Sequence, residues 1–405
     1  MSYNNSSETS KNAESEVEGE FYPLLRKYKD GRIERFISSF VPASREPAAN
    51  GGVATRDVVI DQGTGVCARL FLPNKAAATG RRLPLIMYVH GGSFCTDSAF
   101  SRTYHRYVSS LAASSGSLVV SVEYRLAPEY PIPTAYDDTW SALRWMASLS
   151  DPWLSDYANA EKTFLAGDSA GGNIVYNMAV RAAHDEHVMD IEGLIMVQPF
   201  FWGVERLPSE EACDGAAVVF PPLWVDRLWP FVTAGNGSND DPEIDPPDED
   251  LMWVTCRRVL VAVAEKDTLR ERGCRFASRM RDYAMVQGNV TVVESEGEDH
   301  GFHLFRPLHA TSKKLMKSIV QFINQPAGEA GCIQPIVGVP ARPFKDIMGY
   351  GIRMKRWGDQ RSVTIGRPRV SRTGYGVFSN PARPNAYWDQ LPTIIPGKDV
   401  MKNFF

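Results

Sequence analysis

The chain has 405 residues, with 44 Lys+Arg against 48 Asp+Glu and a formal net charge of −4. That balance argues against a chain-wide nucleic-acid binder, and without an apolar run of about 18 residues no membrane-spanning helix is expected. A hydrophobic share of 43% and this length suit one large domain with a sizeable core plus appendages. The six cysteines, at 67, 95, 213, 256, 274 and 332, form no C-x-x-C pair. Neither a zinc site nor a disulfide framework is therefore expected, and a reducing intracellular compartment is the simpler reading.

Residues 1–20 are rich in Ser, Asn and Glu, lack the apolar stretch of a secretory signal, and read as a disordered tail. Phe21, Leu24, Leu25 and Tyr28 then fit one helical face, and Asp30-Gly31 makes a turn. This amphipathic segment either covers the mouth of a pocket or joins the core. Residues 56–72 alternate around the turn Asp61-Gln62-Gly63-Thr64-Gly65, which predicts a hairpin. The apolar run 83–90 predicts a buried strand that ends in His90-Gly91-Gly92-Ser93-Phe94. A helix over 104–113, a strand over 118–123 and a helix over 135–148 follow.

The next apolar strand runs into Gly167-Asp168-Ser169-Ala170-Gly171-Gly172, with a helix-competent run over 174–183 beyond it. Gly-x-Ser-x-Gly between a strand and a helix is the pattern of a nucleophile elbow, in which the glycines leave room for a sharp turn. Alone, the five residues also fit an ordinary turn. Downstream lie a strand over 193–198 and an aperiodic Trp/Pro/Asp-rich stretch over 200–255, read as a cap with helical character near 223–233. A strand over 259–264, a helix over 270–287, a last strand over 290–294 and a closing helix over 311–323 complete the body. Strands alternating with helices predict an α/β fold with a mostly parallel sheet. Residues 331–405 carry 12 Lys+Arg against 4 Asp+Glu, with many Gly and Pro, and read as a poorly ordered basic extension.

Acyl transfer from a serine needs a base, an acid that orients the base, and donors for the oxyanion. Asp267 follows the 259–264 strand, and His300 lies in a Gly-rich loop after the last strand. The order Ser169, Asp267, His300 is that of an elbow-type hydrolase. Asp267 also fits a helix N-cap, with Glu265 as its neighbouring rival. His303 is the rival of His300, and His90 reads as structural. The backbone amides of Gly91, Gly92 and Ala170 are the expected oxyanion donors.

With these residues assembled, the chain resembles the plant carboxylesterase family within the hormone-sensitive-lipase-like α/β-hydrolases. The resemblance spans about residues 20–325. It rests on His90-Gly91-Gly92-Ser93-Phe94, Tyr124-Arg125-Leu126-Ala127-Pro128-Glu129, Gly167-Asp168-Ser169-Ala170-Gly171-Gly172-Asn173, Gln198-Pro199-Phe200-Phe201-Trp202-Gly203 and the Asp267 and His300 loops. It implies an α/β-hydrolase domain over 21–330 with cap elements at about 21–45 and 200–255. It also implies a cytosolic or nuclear serine esterase with no cofactor, acting on small-molecule esters. Ser169, Asp267 and His300 take the catalytic roles, and Asp168 a structural one. Two departures stand out: Ser93 replaces the third glycine of the usual His-Gly-Gly-Gly, and the tail beyond 330 has no counterpart. His-Gly-Gly-Ser also occurs in the related gibberellin receptors, which bind a ligand and lack a working catalytic His. A third reading is a lyase or dehydratase that reuses the same site.

Overall fold

The computed structural model describes residues 16–22, 24–185, 188–212, 219–283 and 289–325. The basic extension 331–405 and most of the N-terminal tail fall outside them. The described residues begin inside the stretch expected as tail, with strand β1 (Val17–Phe21), followed by β2 (Leu25–Tyr28) and β3 (Ile33–Arg35). These form a separate antiparallel sheet in the order β1-β2-β3.

The expected N-terminal helix is therefore replaced by strands. A tight turn, in which Leu24 N–H donates to Phe21 O at 2.8 Å, sets Phe21 directly opposite Leu25. Two apolar residues that look one helical turn apart are cross-strand neighbours. Ion pairs Arg26–Glu20 at 2.6 Å and Lys27–Glu18 at 3.0 Å add lateral support. The Asp30-Gly31 turn forms as expected, with Gly31 at φ 86°. A small sheet needs an apolar partner, and Phe21 finds one in Trp224 and Phe231, at 4.5 and 5.0 Å between ring centroids.

The main sheet holds β4 (Val53–Val59), β5 (Cys67–Pro73), β6 (Leu83–Val89), β7 (Leu118–Glu123), β8 (Ala158–Asp168), β9 (Gly193–Val197), β10 (Arg258–Ala264) and β11 (Val290–Ser295). Its order is β11-β10-β9-β8-β6-β7-β5-β4. The run β11 to β7 is parallel, and the expected hairpin β4-β5 continues it antiparallel. Continuous apolar strands follow from cover on both faces. Leu85, Met87 and Leu165 pack with Tyr136, Ile174 and Phe276 on one side. Ile86, Tyr88 and Phe164 pack with Tyr107, Ile319 and Phe322 on the other. Between β9 and β10 the cap contributes the helix Pro222–Val232, close to the expected position and opened by Pro221 and Pro222. No described helix is long and apolar enough to cross a membrane.

The helix Ala170–Ala182 lies very close to the carboxyl end of β6. A Cβ on Gly171 would come within 2.0 Å of Val89 O, and one on Gly167 within 2.4 Å of the Gly171 backbone. Gly171→Ala is expected to cost roughly 2 kcal/mol or more, as overpacking against rigid backbone does. Urea unfolding monitored by circular dichroism checks this, and an unchanged midpoint would contradict the packing described.

Candidate active site

Ser169 sits between β8 and the helix Ala170–Ala182, at φ 51° and ψ −119°. A side-chain-bearing residue occupies that region only when its surroundings hold it there. Here Ser169 N–H donates to Val197 O at 2.9 Å, and Ser169 O accepts from Phe200 N–H at 2.9 Å and Asn173 N–H at 3.1 Å. The turn lies at the carboxyl ends of the parallel strands, where open α/β sheets gather their functional loops.

His300 arrives on the loop after β11, and its Nε2 lies 3.0 Å from Ser169 Oγ. Its Nδ1 lies 2.8 Å from Asp267 Oδ2, on the loop after β10. With the proton on Nδ1, the ring donates to Asp267 and accepts from the serine hydroxyl. Asp267 also caps the following turn, since Oδ1 accepts from Leu269 N–H at 3.0 Å. The capping and site readings of Asp267 thus coexist. The rivals stand elsewhere. Glu265 accepts from Gly297 N–H at 2.7 Å. His303 is buried against Tyr107, with neither ring nitrogen hydrogen-bonded among the described residues. His90 has Nδ1 2.7 Å from Gly91 O and stacks on Tyr124.

Gln198 is a site residue without an assigned role in the sequence reading. Its Nε2 donates to Asp267 Oδ2 at 3.0 Å and Asp299 O at 3.2 Å, and its Oε1 accepts from Gly301 N–H at 2.9 Å. One neutral side chain thus ties the acid loop to the base loop. The signals available were its place at the end of a buried strand, before Pro199, and its membership of the Gln198–Gly203 motif that carries the resemblance.

The loop His90–Phe94 differs from expectation at one position. The Gly91 amide donates to Tyr104 Oη at 2.9 Å, so it is occupied inside the protein. The amides of Gly92, Ser93 and Ala170 have no protein acceptor among the described residues. Gly92 takes φ 98°, and a Cβ there would sit 2.2 Å from Thr96 O, so this position requires glycine. Ser93 holds φ 55°, a left-handed backbone that glycine would take at lower cost. The glycine at 91 serves close approach to Asp168, with a Cβ 2.6 Å from Oδ2.

The cap reaches the site through Phe220, whose ring centroid lies 5.1 Å from that of His300 at 68°. Thr268 Oγ1 donates to Phe220 O at 2.7 Å and anchors the cap beside the acid loop. Among the described residues, no cluster of three or more His, Cys, Asp or Glu could hold a metal ion.

Burial pushes the His300 pKa down, but the Asp267 carboxylate, with Asp299 and Asp168 behind it, outweighs burial and leaves it above the usual 6.5. Burial lifts Asp299 to about 6.

This sheet order, elbow and loop arrangement define an α/β hydrolase, and the profile of the alpha/beta hydrolase fold matches residues 86–304. Probable carboxylesterase 5 of Arabidopsis thaliana is 38% identical over 76% of this chain and 99% of its own length. A 2-hydroxyisoflavanone dehydratase of Glycyrrhiza echinata is 38% identical over 78% of this chain and 99% of its own length. A hyperthermophilic esterase from Pyrobaculum calidifontis superimposes with a TM-score of 0.57 at 27% identity, covering 66% of this chain and 84% of that one. The chain belongs to the plant carboxylesterase family of the α/β hydrolases.

For the reaction proposed below, in which His300 accepts the serine proton, activity is lost as pH falls through its raised pKa. The acid limb of the kcat/KM profile is expected to inflect above 6.5. Asp267→Asn should move that limb downward and reduce kcat by roughly 1000- to 10,000-fold. An acid limb unaffected by the substitution would rule out this source of the shift.

Proposed function

We propose that this protein is a serine carboxylesterase that hydrolyses small carboxylic esters through an acyl-enzyme. The observation that carries the reading is the chain of contacts from Ser169 Oγ to His300, at 3.0 Å, and from His300 to Asp267, at 2.8 Å. Ser169 Oγ attacks the ester carbonyl while its proton passes to His300 Nε2. Asp267 holds the imidazole in the required tautomer and stabilises its charged form. The amides of Gly92 and Ala170, with Ser93, receive the oxyanion, and such donors are worth roughly 3 kcal/mol each. His300 then protonates the departing alkoxide. Water, deprotonated by the same ring, attacks the acyl-enzyme and frees the acid. No step calls for a cofactor or metal, and the partner is a small ester rather than nucleic acid. Cys67, Cys95, Cys256 and Cys274 are free thiols, which suits the proposed cytoplasmic location.

A second reading is a dehydratase, favoured by the Glycyrrhiza relative's name. The same base would abstract a carbon-bound proton, and the same amides would hold an enolate, with no acyl-enzyme. A gibberellin-receptor-like role finds less support, because His300 is hydrogen-bonded to Ser169 rather than lost.

Ser169→Ala should reduce p-nitrophenyl acetate hydrolysis by at least roughly 1000-fold. The wild type should be labelled at Ser169 by a fluorophosphonate and should show an acyl burst. Full activity in the variant would end the esterase reading, whereas a wild type without an acyl-enzyme would favour dehydration.

A further inference from the structure

The carboxylate next to the nucleophile takes part in none of these steps. Asp168 is buried at the end of β8, with 3% of its surface exposed. Tyr88 Oη donates to its Oδ1 at 2.6 Å, and Tyr104 Oη to its Oδ2 at 2.8 Å. Burial leaves the Asp168 pKa raised, with the two hydroxyls and the Gly91 amide opposing that shift. Tyr104 Oη also accepts the Gly91 amide at 2.9 Å.

The proton count gives this relay a direction. A phenol has one proton to donate, and a backbone N–H such as that of Gly91 can only donate. Tyr104 must spend its proton on Asp168, which leaves its oxygen lone pairs for Gly91 N–H. The far side of the same loop is held as firmly. Tyr124 Oη lies 3.0 Å from His90 O and 3.2 Å from Gly91 O, and His90 Nδ1 lies 2.7 Å from Gly91 O. Peptide groups are planar and trans, so a fixed carbonyl sends the N–H of the same plane the opposite way. Holding Gly91 C=O with buried donors therefore aims Gly92 N–H away from them, and that amide is one of the three without a protein acceptor among the described residues.

We propose that Asp168 and Tyr104 are positioning residues that set the Gly92 oxyanion donor relative to Ser169 Oγ. The assignment rests on the reaction proposed above, because it presumes that Gly92 receives the oxyanion. Asp168 is bonded through the backbone to Ser169 and through Tyr104 to the oxyanion loop. One rigid carboxylate thus references the attacking oxygen and the N–H donors to each other. A preorganised donor acts mainly on the transition state, so its misalignment lowers kcat more than it raises KM.

The test compares Tyr104→Phe with Tyr88→Phe. Each removes one hydroxyl from Asp168, but only Tyr104 touches Gly91. With active sites counted by fluorophosphonate titration, Tyr104→Phe should lower kcat for p-nitrophenyl acetate by about 10- to 100-fold with KM within about twofold. It should weaken an aliphatic trifluoromethyl ketone inhibitor, which mimics the tetrahedral state, by the same factor. Tyr88→Phe should change both much less, even if the two variants lose equal thermal stability. Combining Tyr104→Phe with Asp168→Asn should be no slower than the worse single variant. Equal kcat losses in the two phenylalanine variants, or a kcat loss without the matching loss of inhibitor affinity, would reduce the relay to a stability element and overturn the proposal. Hydrogen exchange at the Gly91 amide gives a readout independent of activity, and it should accelerate in Tyr104→Phe only. Unchanged Gly91 exchange sinks the relay whatever reaction the enzyme performs, whereas a wild type with no Ser169-dependent hydrolysis counts against the esterase reading alone.

Discussion

No side chain fits where the end of β6, the end of β8 and the helix Ala170–Ala182 converge. Gly171 lies against Val89 O, and Gly167 lies against the backbone of Gly171. That crowding makes the turn sharp, and the sharp turn forces Ser169 to φ 51°. From there the rest follows: Oγ reaches His300, the Ala170 amide opens the helix without an acceptor, and Asp168 is driven into the core. Ser169 Oγ and the Asp168 carboxylate thus face different partners, the one His300 and the other a pair of buried tyrosines.

The second requirement is electrostatic. His300 is removed from water, which disfavours its charged form, yet the proposed chemistry needs that form to be accessible. Three carboxylates counter the burial, with Asp267 dominant. Gln198 matters here because it is neutral. It satisfies Asp267 with an N–H while adding no positive charge, so the carboxylate's influence on the imidazole is left intact. A lysine or arginine in that place would compete for Asp267 and depress the basicity of His300.

What could be read from the residues was whatever local pattern carries. Strand and helix alternation, the hairpin around Gly63 and Gly65, the elbow, and the acid and base at strand ends all lie within short windows. The departures share one cause, dependence on distant partners. Phe21 and Leu25 mimic a helical face only until the turn between them is known. Gly91 and Gly92 are indistinguishable in sequence, and only Tyr104, 13 residues away from Gly91, decides which amide stays free. Gln198 acts on groups 69, 101 and 103 residues distant, beyond the reach of any spacing rule.

His300 stands 131 residues after Ser169, on a loop that leaves the outermost strand of the parallel run. Elbow, oxyanion loop and central strands are all translated well before it. During synthesis Ser169 therefore exists well before the imidazole that hydrogen-bonds to it. The contact between Ser169 and His300 forms only once β11 has taken its edge position and carried its loop to the elbow.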